Sequence, residues 1–148
     1  MLPNSYYVEC IKALHTLFTQ ANMSYEIHVH TEVITKPTLI TPAHHGICDR
    51  ITEPIVIRPE DSHLEDFQNL NVRMRINECP IETLKALTLS DVLLASRSSF
   101  SYVASIVKKS IVLFHPFWHS LAPGWIPTNG AQDIFDNREK ILEKLSGV

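Results

Sequence analysis

The chain has 148 residues, a formal net charge of -3, and 45% hydrophobic against 20% charged residues. That length supports one domain with a core of its own, and that charge gives no electrostatic case for nucleic acid or an anionic membrane surface as partner. No apolar run approaches the ~20 residues that span a bilayer, and Met1–Tyr7 has no basic region leading into an apolar one, so a cytoplasmic protein is expected.

Ser5 to about Ala21 reads as an amphipathic helix, with Tyr7, Ile11, Leu14 and Phe18 on one stripe. Tyr25 to His30 reads as a strand. From residue 31 to 61 the chain turns Pro-, Thr- and His-rich, with two short β-like pieces at Pro37–Thr41 and Pro54–Arg58 around His44-His45-Gly46. This is an excursion from the sheet, a loop or small hairpin, and so long a loop in a compact domain is usually functional. Leu64 to Leu70 suits a short helix, Asn71 to Ile76 a strand and Pro80 to Leu89 a helix, with Pro80 at the first helical position and Glu82 in the first turn.

Asp91 to Ala95 is a short apolar run, a strand buried on both faces. It breaks into Ser96-Arg97-Ser98-Ser99 and resumes as a helix, with Phe100, Val103, Ala104 and Val107 at helical spacing. Ile111 to Phe114 is the next strand, and Pro116 to Asn129 an aromatic, Pro-rich loop. A last helix runs from Asp136, with Glu139 completing a capping box, to about Leu145. Strands alternating with helices give an α/β fold: one Rossmann-like domain over residues 1–148, with a mainly parallel sheet flanked by helices. Cys10, Cys48 and Cys79 are odd in number and have no pair-like spacing, as expected of reduced thiols.

In such sheets ligands bind beyond the C-terminal ends of the strands. The first strand ends in His30-Thr31-Glu32 and the second in Asn77-Glu78. The third ends in Ser96-Arg97-Ser98-Ser99 and the fourth in His115, with Trp118 and His119 close behind. The serine turn has two readings. It can simply cap the helix. Alternatively its amides, its hydroxyls and the positive end of the helix dipole can hold a phosphate, which Arg97 would neutralise. Glu32 suits a general base or a sugar-hydroxyl contact, and equally an ordinary exposed glutamate. Trp118 suits stacking on a sugar or base and equally packing of its loop onto the domain, which is the reading for Trp125. His28, His30 and Glu32 share one face of an extended segment, and His44 and His45 lie nearby, but no spacing matches a metal motif and no metal is expected. With four glycines and no Gly-x-Gly-x-x-Gly, Walker loop or Gly-x-Ser-x-Gly elbow, a dinucleotide fold and a serine-hydrolase elbow are not indicated.

The run Ser90-Asp91-Val92-Leu93-Leu94, followed by Ser96-Arg97-Ser98-Ser99-Phe100-Ser101-Tyr102-Val103-Ala104, resembles the C-terminal nucleotide-sugar-binding half of GT-B glycosyltransferases. It is closest to the fucosyltransferase-like group, including the alpha-1,2-fucosyltransferases, which carry a Ser-x-Ser-Ser-Phe-Ser turn after an aspartate-led strand. Ile27-His28-Val29-His30-Thr31-Glu32 and His115-Pro116-Phe117-Trp118-His119 look like the preceding and following strand ends of such proteins. The resemblance spans about Tyr6 to Trp125.

It implies a donor site for a nucleoside-diphosphate sugar, GDP-fucose first, with transfer to a glycan or other acceptor hydroxyl and no metal cofactor. Ser96, Ser98, Ser99 and Ser101, with the Phe100 amide, would hold the diphosphate. Glu32 or His30 would serve catalysis, and Asn77, Glu78, His115, Trp118 and His119 would line the cleft. Arg97 stands at the variable position of the turn, so its phosphate role rests on its chemistry alone. The second Rossmann-like half of such enzymes and their His-x-Arg-x-Gly-Asp-like motif are missing from this chain, so a partner domain or chain is implied for transfer. The alternatives are a non-catalytic nucleotide or carbohydrate module, a truncated fragment that lacks the N-terminal half and, further off, a His-rich metal-dependent hydrolase.

Overall fold

A computed structural model of the chain describes residues 2–40, 54–108 and 110–147. Helix α1, Asn4–Gln20, buries Tyr6, Cys10, Ile11, Ala13, Leu14, Leu17 and Phe18. The stripe is thus wider than expected and centres on Tyr6 rather than Tyr7. Asn22 ends the helix at φ 52. The Asn22 amide donates to the Thr19 carbonyl and the Met23 amide to the Phe18 carbonyl, which satisfies the last open carbonyls of the helix.

Strand β1, His28–Thr31, starts later than expected because Tyr25 turns back onto α1, where its hydroxyl lies 2.8 Å from His15 Nδ1. The excursion is a hairpin: β2, Thr38–Ile40, pairs antiparallel with β3, Ile55–Ile57. His44, His45 and Cys48 lie outside the described residues. The helix expected at Leu64–Leu70 is instead a pair of single 3-10 turns, Pro59–Ser62 and Leu64–Phe67. His63, at φ 46, separates them. Asn4 Nδ2 donates to the Ser62 and His63 carbonyls at 3.2 and 3.0 Å and pins these turns to the start of α1.

Strand β4, Arg73–Ile76, lies parallel to β1, and α2, Pro80–Leu89, follows. Next come β5, Val92–Ala95; α3, Ser99–Val107; and β6, Ile111–Phe114. The expected loop 116–129 holds a two-residue strand, β7, Ile126–Pro127. β5, β6 and β7 are parallel and adjacent in that order. Among the described residues no ladder joins them to β1 and β4, so the expected single sheet is two small parallel ones. The closing helix is also divided: α4, Ala131–Asp136, breaks at Asn137 before α5, Arg138–Ser146. The capping box at Asp136 and Glu139 does not form. Asp133 Oδ2 instead accepts the Asn129 amide at 2.6 Å and starts α4 five residues earlier.

Alternation along the strands builds two layers. Ile111 and Leu113 face α1, Ile134 and Ile141, while Leu93, Ala95, Val112 and Phe114 face Ala104 of α3 with Leu84 and Leu87 of α2. All four β6 residues are buried, as a strand covered on both faces requires. The chain is a mixed α/β protein with small parallel sheets flanked by helices, an arrangement compatible with a Rossmann-like fold. Among the described residues no helix is long and apolar enough to cross a membrane.

Candidate functional site

β5 ends at Ala95, and α3 starts at Ser99 with Ser98 as its N-cap. Ser98 Oγ accepts the Ser101 amide at 3.2 Å, which is the capping bond of a helix start. Ser96, Ser98 and Ser101 close a triangle of hydroxyls, each 3.0 Å from the other two. Ser101 Oγ also donates to the Ser96 carbonyl at 2.7 Å. Three of the four candidate hydroxyls are therefore engaged in shaping the turn. Ser99 and Arg97 are exposed. The amides of Ser99 and Phe100 belong to the first helical turn, where no helical carbonyl precedes them.

The helix places its small residues inward. Ser101, Ala104 and Ser105 are buried, while Phe100, Val103, Ile106 and Val107 are exposed. Small side chains let α3 lie close on β5 and β6, which sets its N-terminus directly at the strand end.

An aromatic cluster flanks this turn. The Arg97 guanidinium lies over the Phe117 ring, 5.7 Å from its centroid. Phe117 packs on Phe114 at 5.2 Å and edge-on to Trp118 at 5.7 Å. His119 is held between Tyr102, stacked at 3.9 Å, and Trp118 at 3.6 Å, and its Nε2 is buried without a partner among the described residues. Trp118 remains 63% exposed. Trp125 packs on Phe114 and Tyr102, as its loop-packing reading expects. His115 sits edge-on to Tyr6, with Nδ1 2.9 Å from the Pro116 carbonyl oxygen. Tyr7 on α1 lies against Arg97: burial pushes its phenol up, and a hydrogen bond with the Arg97 backbone pulls it partly back.

A second cluster forms at the ends of β1 and β4. The parallel register sets His28 beside Arg73 and His30 beside Arg75. Arg73 Nη2 meets Glu26 Oε1 at 2.6 Å, and Glu26 Oε2 meets His28 Nε2 at 3.2 Å. Glu78 Oε2 lies 3.2 Å from His30 Nδ1, and Glu78 Oε1 lies 3.5 Å from Arg75 Nη1. Burial holds His30 below the ordinary histidine range, with the Glu78 charge opposing that effect. Asn77, at φ 53, accepts the Val33 amide on Oδ1 at 2.7 Å, and its own amide donates to the Thr31 carbonyl. Its side chain thus ties the two strand ends together. Glu32 is exposed beyond the end of β1.

Two groups thus emerge from the expected site residues. Ser96, Arg97, Ser98, Ser99, Phe100, Ser101, Trp118 and His119 assemble around the start of α3. His30, Asn77 and Glu78 assemble at β1 and β4, while Tyr7 packs with Ile11, Phe67 and Leu70 and lies against Arg97. Tyr102, Phe117 and Arg75 join them unexpectedly. Arg75 was signalled only by the alternation of Arg73 and Arg75, and its partner depends on a register that no local pattern encodes. Among the described residues no three His, Cys, Asp or Glu side chains converge as metal ligands do. No family model matches this chain, and neither a curated protein nor a solved structure matches it.

Proposed function

We propose that the chain binds a nucleoside-diphosphate sugar at the start of α3, GDP-fucose first among donors, as one half of a glycosyl-transfer site of the GT-B kind. The observation that carries this reading is the convergence at one strand end of a cation over an aromatic ring and an exposed aromatic surface. Arg97 is steered by Phe117, next to the first-turn amides of α3 and the exposed ring of Trp118. Because Ser96, Ser98 and Ser101 satisfy one another, the diphosphate contacts fall to the Ser99 hydroxyl, the Ser99 and Phe100 amides and Arg97. The helix dipole and Arg97 would stabilise the leaving diphosphate, so the displacement needs no metal. Trp118 offers its face to the base or sugar, and Glu32 or His30 serves the acceptor side. A second domain or chain supplies the opposite wall.

Isothermal titration of GDP, UDP and GDP-fucose against wild type, Ser99→Ala and Arg97→Ala tests the reading. Wild type is expected to bind the guanine ligands, and loss of the Arg97 charge to weaken binding by about tenfold or more. A folded wild type that gives no heat with millimolar nucleotide overturns it.

A further inference from the structure

The donor reading leaves the acceptor's proton without a fixed recipient, and the β1–β4 edge supplies one. We propose that His30 Nε2 is the general base of this site, with Glu78 and Arg75 as its positioning residues. The substrate assignment rests on the donor reading; the geometry of the base does not.

The strand register puts His30 and Arg75 on one face of the β1–β4 pair. Asn77, turned at φ 53 and stapled to Thr31 and Val33, reverses the chain so that Glu78 returns over that same face. Arg75 meets one carboxylate oxygen of Glu78 at 3.5 Å, and the other lies 3.2 Å from His30 Nδ1. The His30 side chain is only 11% exposed, and its Nδ1 is fully buried, off the alignment of a full hydrogen bond. A buried lone pair 3.2 Å from a carboxylate oxygen is repelled, so the proton of the neutral ring belongs on Nδ1 and the lone pair on Nε2. Nε2 has no partner among the described residues. Burial holds the ring below the ordinary histidine range and so keeps it neutral, while His28 and Arg75 add repulsion to a second proton. This is the carboxylate–imidazole arrangement in which the acid fixes tautomer and orientation without itself taking the proton. Glu32, exposed beyond the strand end, has no such support.

In the transfer, Nε2 takes the proton of the acceptor hydroxyl. The acceptor oxygen bonds to the anomeric carbon, the bond from that carbon to the diphosphate oxygen breaks, and the nucleoside diphosphate leaves with the electron pair.

Nitrogen-15 imidazole spectra of the wild-type protein at neutral pH report the tautomer directly. The Nδ1–H form of His30 is expected, and an Nε2–H form overturns the proposal without recourse to any variant. Diethyl pyrocarbonate acylation, mapped by peptide mass, then reads the nucleophilicity of Nε2. In Glu78→Gln an amide can donate to Nδ1 and force the wrong tautomer, so acylation of His30 is expected to slow by about tenfold or more while His28 is unchanged. Equal His30 rates in the two folded proteins overturn the positioning role. GDP-fucose titration of the wild type separates the two readings. A wild type that binds no donor fails the donor reading, and the tautomer and acylation results still decide the base.

Discussion

A thiol with no water around it cannot readily become a thiolate. Cys10 is fully buried on α1, and burial, with the charges of Glu9 and Asp133, pushes its pKa from an ordinary 9.0 to about 11 against the help of a hydrogen bond with Tyr6. Below the unfolded value both states keep the proton. Between 9.0 and about 11 the unfolded chain ionises while the folded chain holds its proton, so stability is lost as pH rises through that window. Urea unfolding of wild type and Cys10→Ala at about pH 8 and about pH 10.5 measures this. The advantage of wild type over the variant should shrink by about 2 kcal/mol between the two conditions. A gap that stays constant with pH would sink the assignment. Tyr6, also buried and held above the ordinary tyrosine range first by that burial and then by Cys10, acts with the same sign at higher pH.

At the scale of the element, α3 shows what a cap and a binding turn have in common and how to separate them. Ser98 Oγ holds the Ser101 amide, and Ser99 Oγ points outward from the same turn. Ser98→Ala should cost about 1 kcal/mol of stability, whereas Ser99→Ala should leave stability within about half a kcal/mol and act on nucleotide binding alone. Thermal melts of both variants check the pair, and a stability loss confined to Ser99→Ala would reverse the roles. The strand–turn–helix was legible because the apolar run at 92–95, the serine break and the helical spacing all agree. The inward face was not. Phe100, Val103 and Val107 have the right spacing for a buried stripe, but a helix seated close on β5 and β6 accepts only Ser101, Ala104 and Ser105. Lys108 was equally hidden: it is buried, and its ammonium meets the Ser90 carbonyl and hydroxyl and the Leu87 carbonyl at the C-terminal end of α2. That position favours a cation through the helix dipole, and nothing in the sequence near Lys108 points to a helix twenty residues earlier. The division of α4 from α5 is not legible in the sequence because the side chain that starts α4, Asp133, reaches back four residues rather than forward.

Over the whole molecule, the two parallel sheets share no ladder among the described residues, and α1 is what covers both. One side of α1 packs Cys10, Leu14 and Leu17 on Ile111, Leu113 and Ile126 of the β5–β6–β7 sheet. The other packs Ile11 with Phe67 and Leu70, against Val29 and Met74 of the β1–β4 pair. The halves of the candidate site therefore keep their spacing through a helix rather than through strand hydrogen bonds. Truncating Ile11 removes apolar contact from the β1–β4 side alone and should cost about 2–5 kcal/mol at that side. Native-state hydrogen exchange of Ile11→Ala is then expected to lose protection first at Val29 and Met74. The amides of Ile111 to Phe114, at the centre of the larger sheet, should still exchange only through global unfolding. The β2–β3 hairpin, with Leu39 and Val56 exposed, should exchange early in both proteins. Equal loss of protection in both sheets would mean that they unfold as one unit, with α1 a part of a single core rather than the link between two. Unequal loss would locate the flexible joint between His30 and the serine turn, across which a donor and an acceptor would have to be aligned.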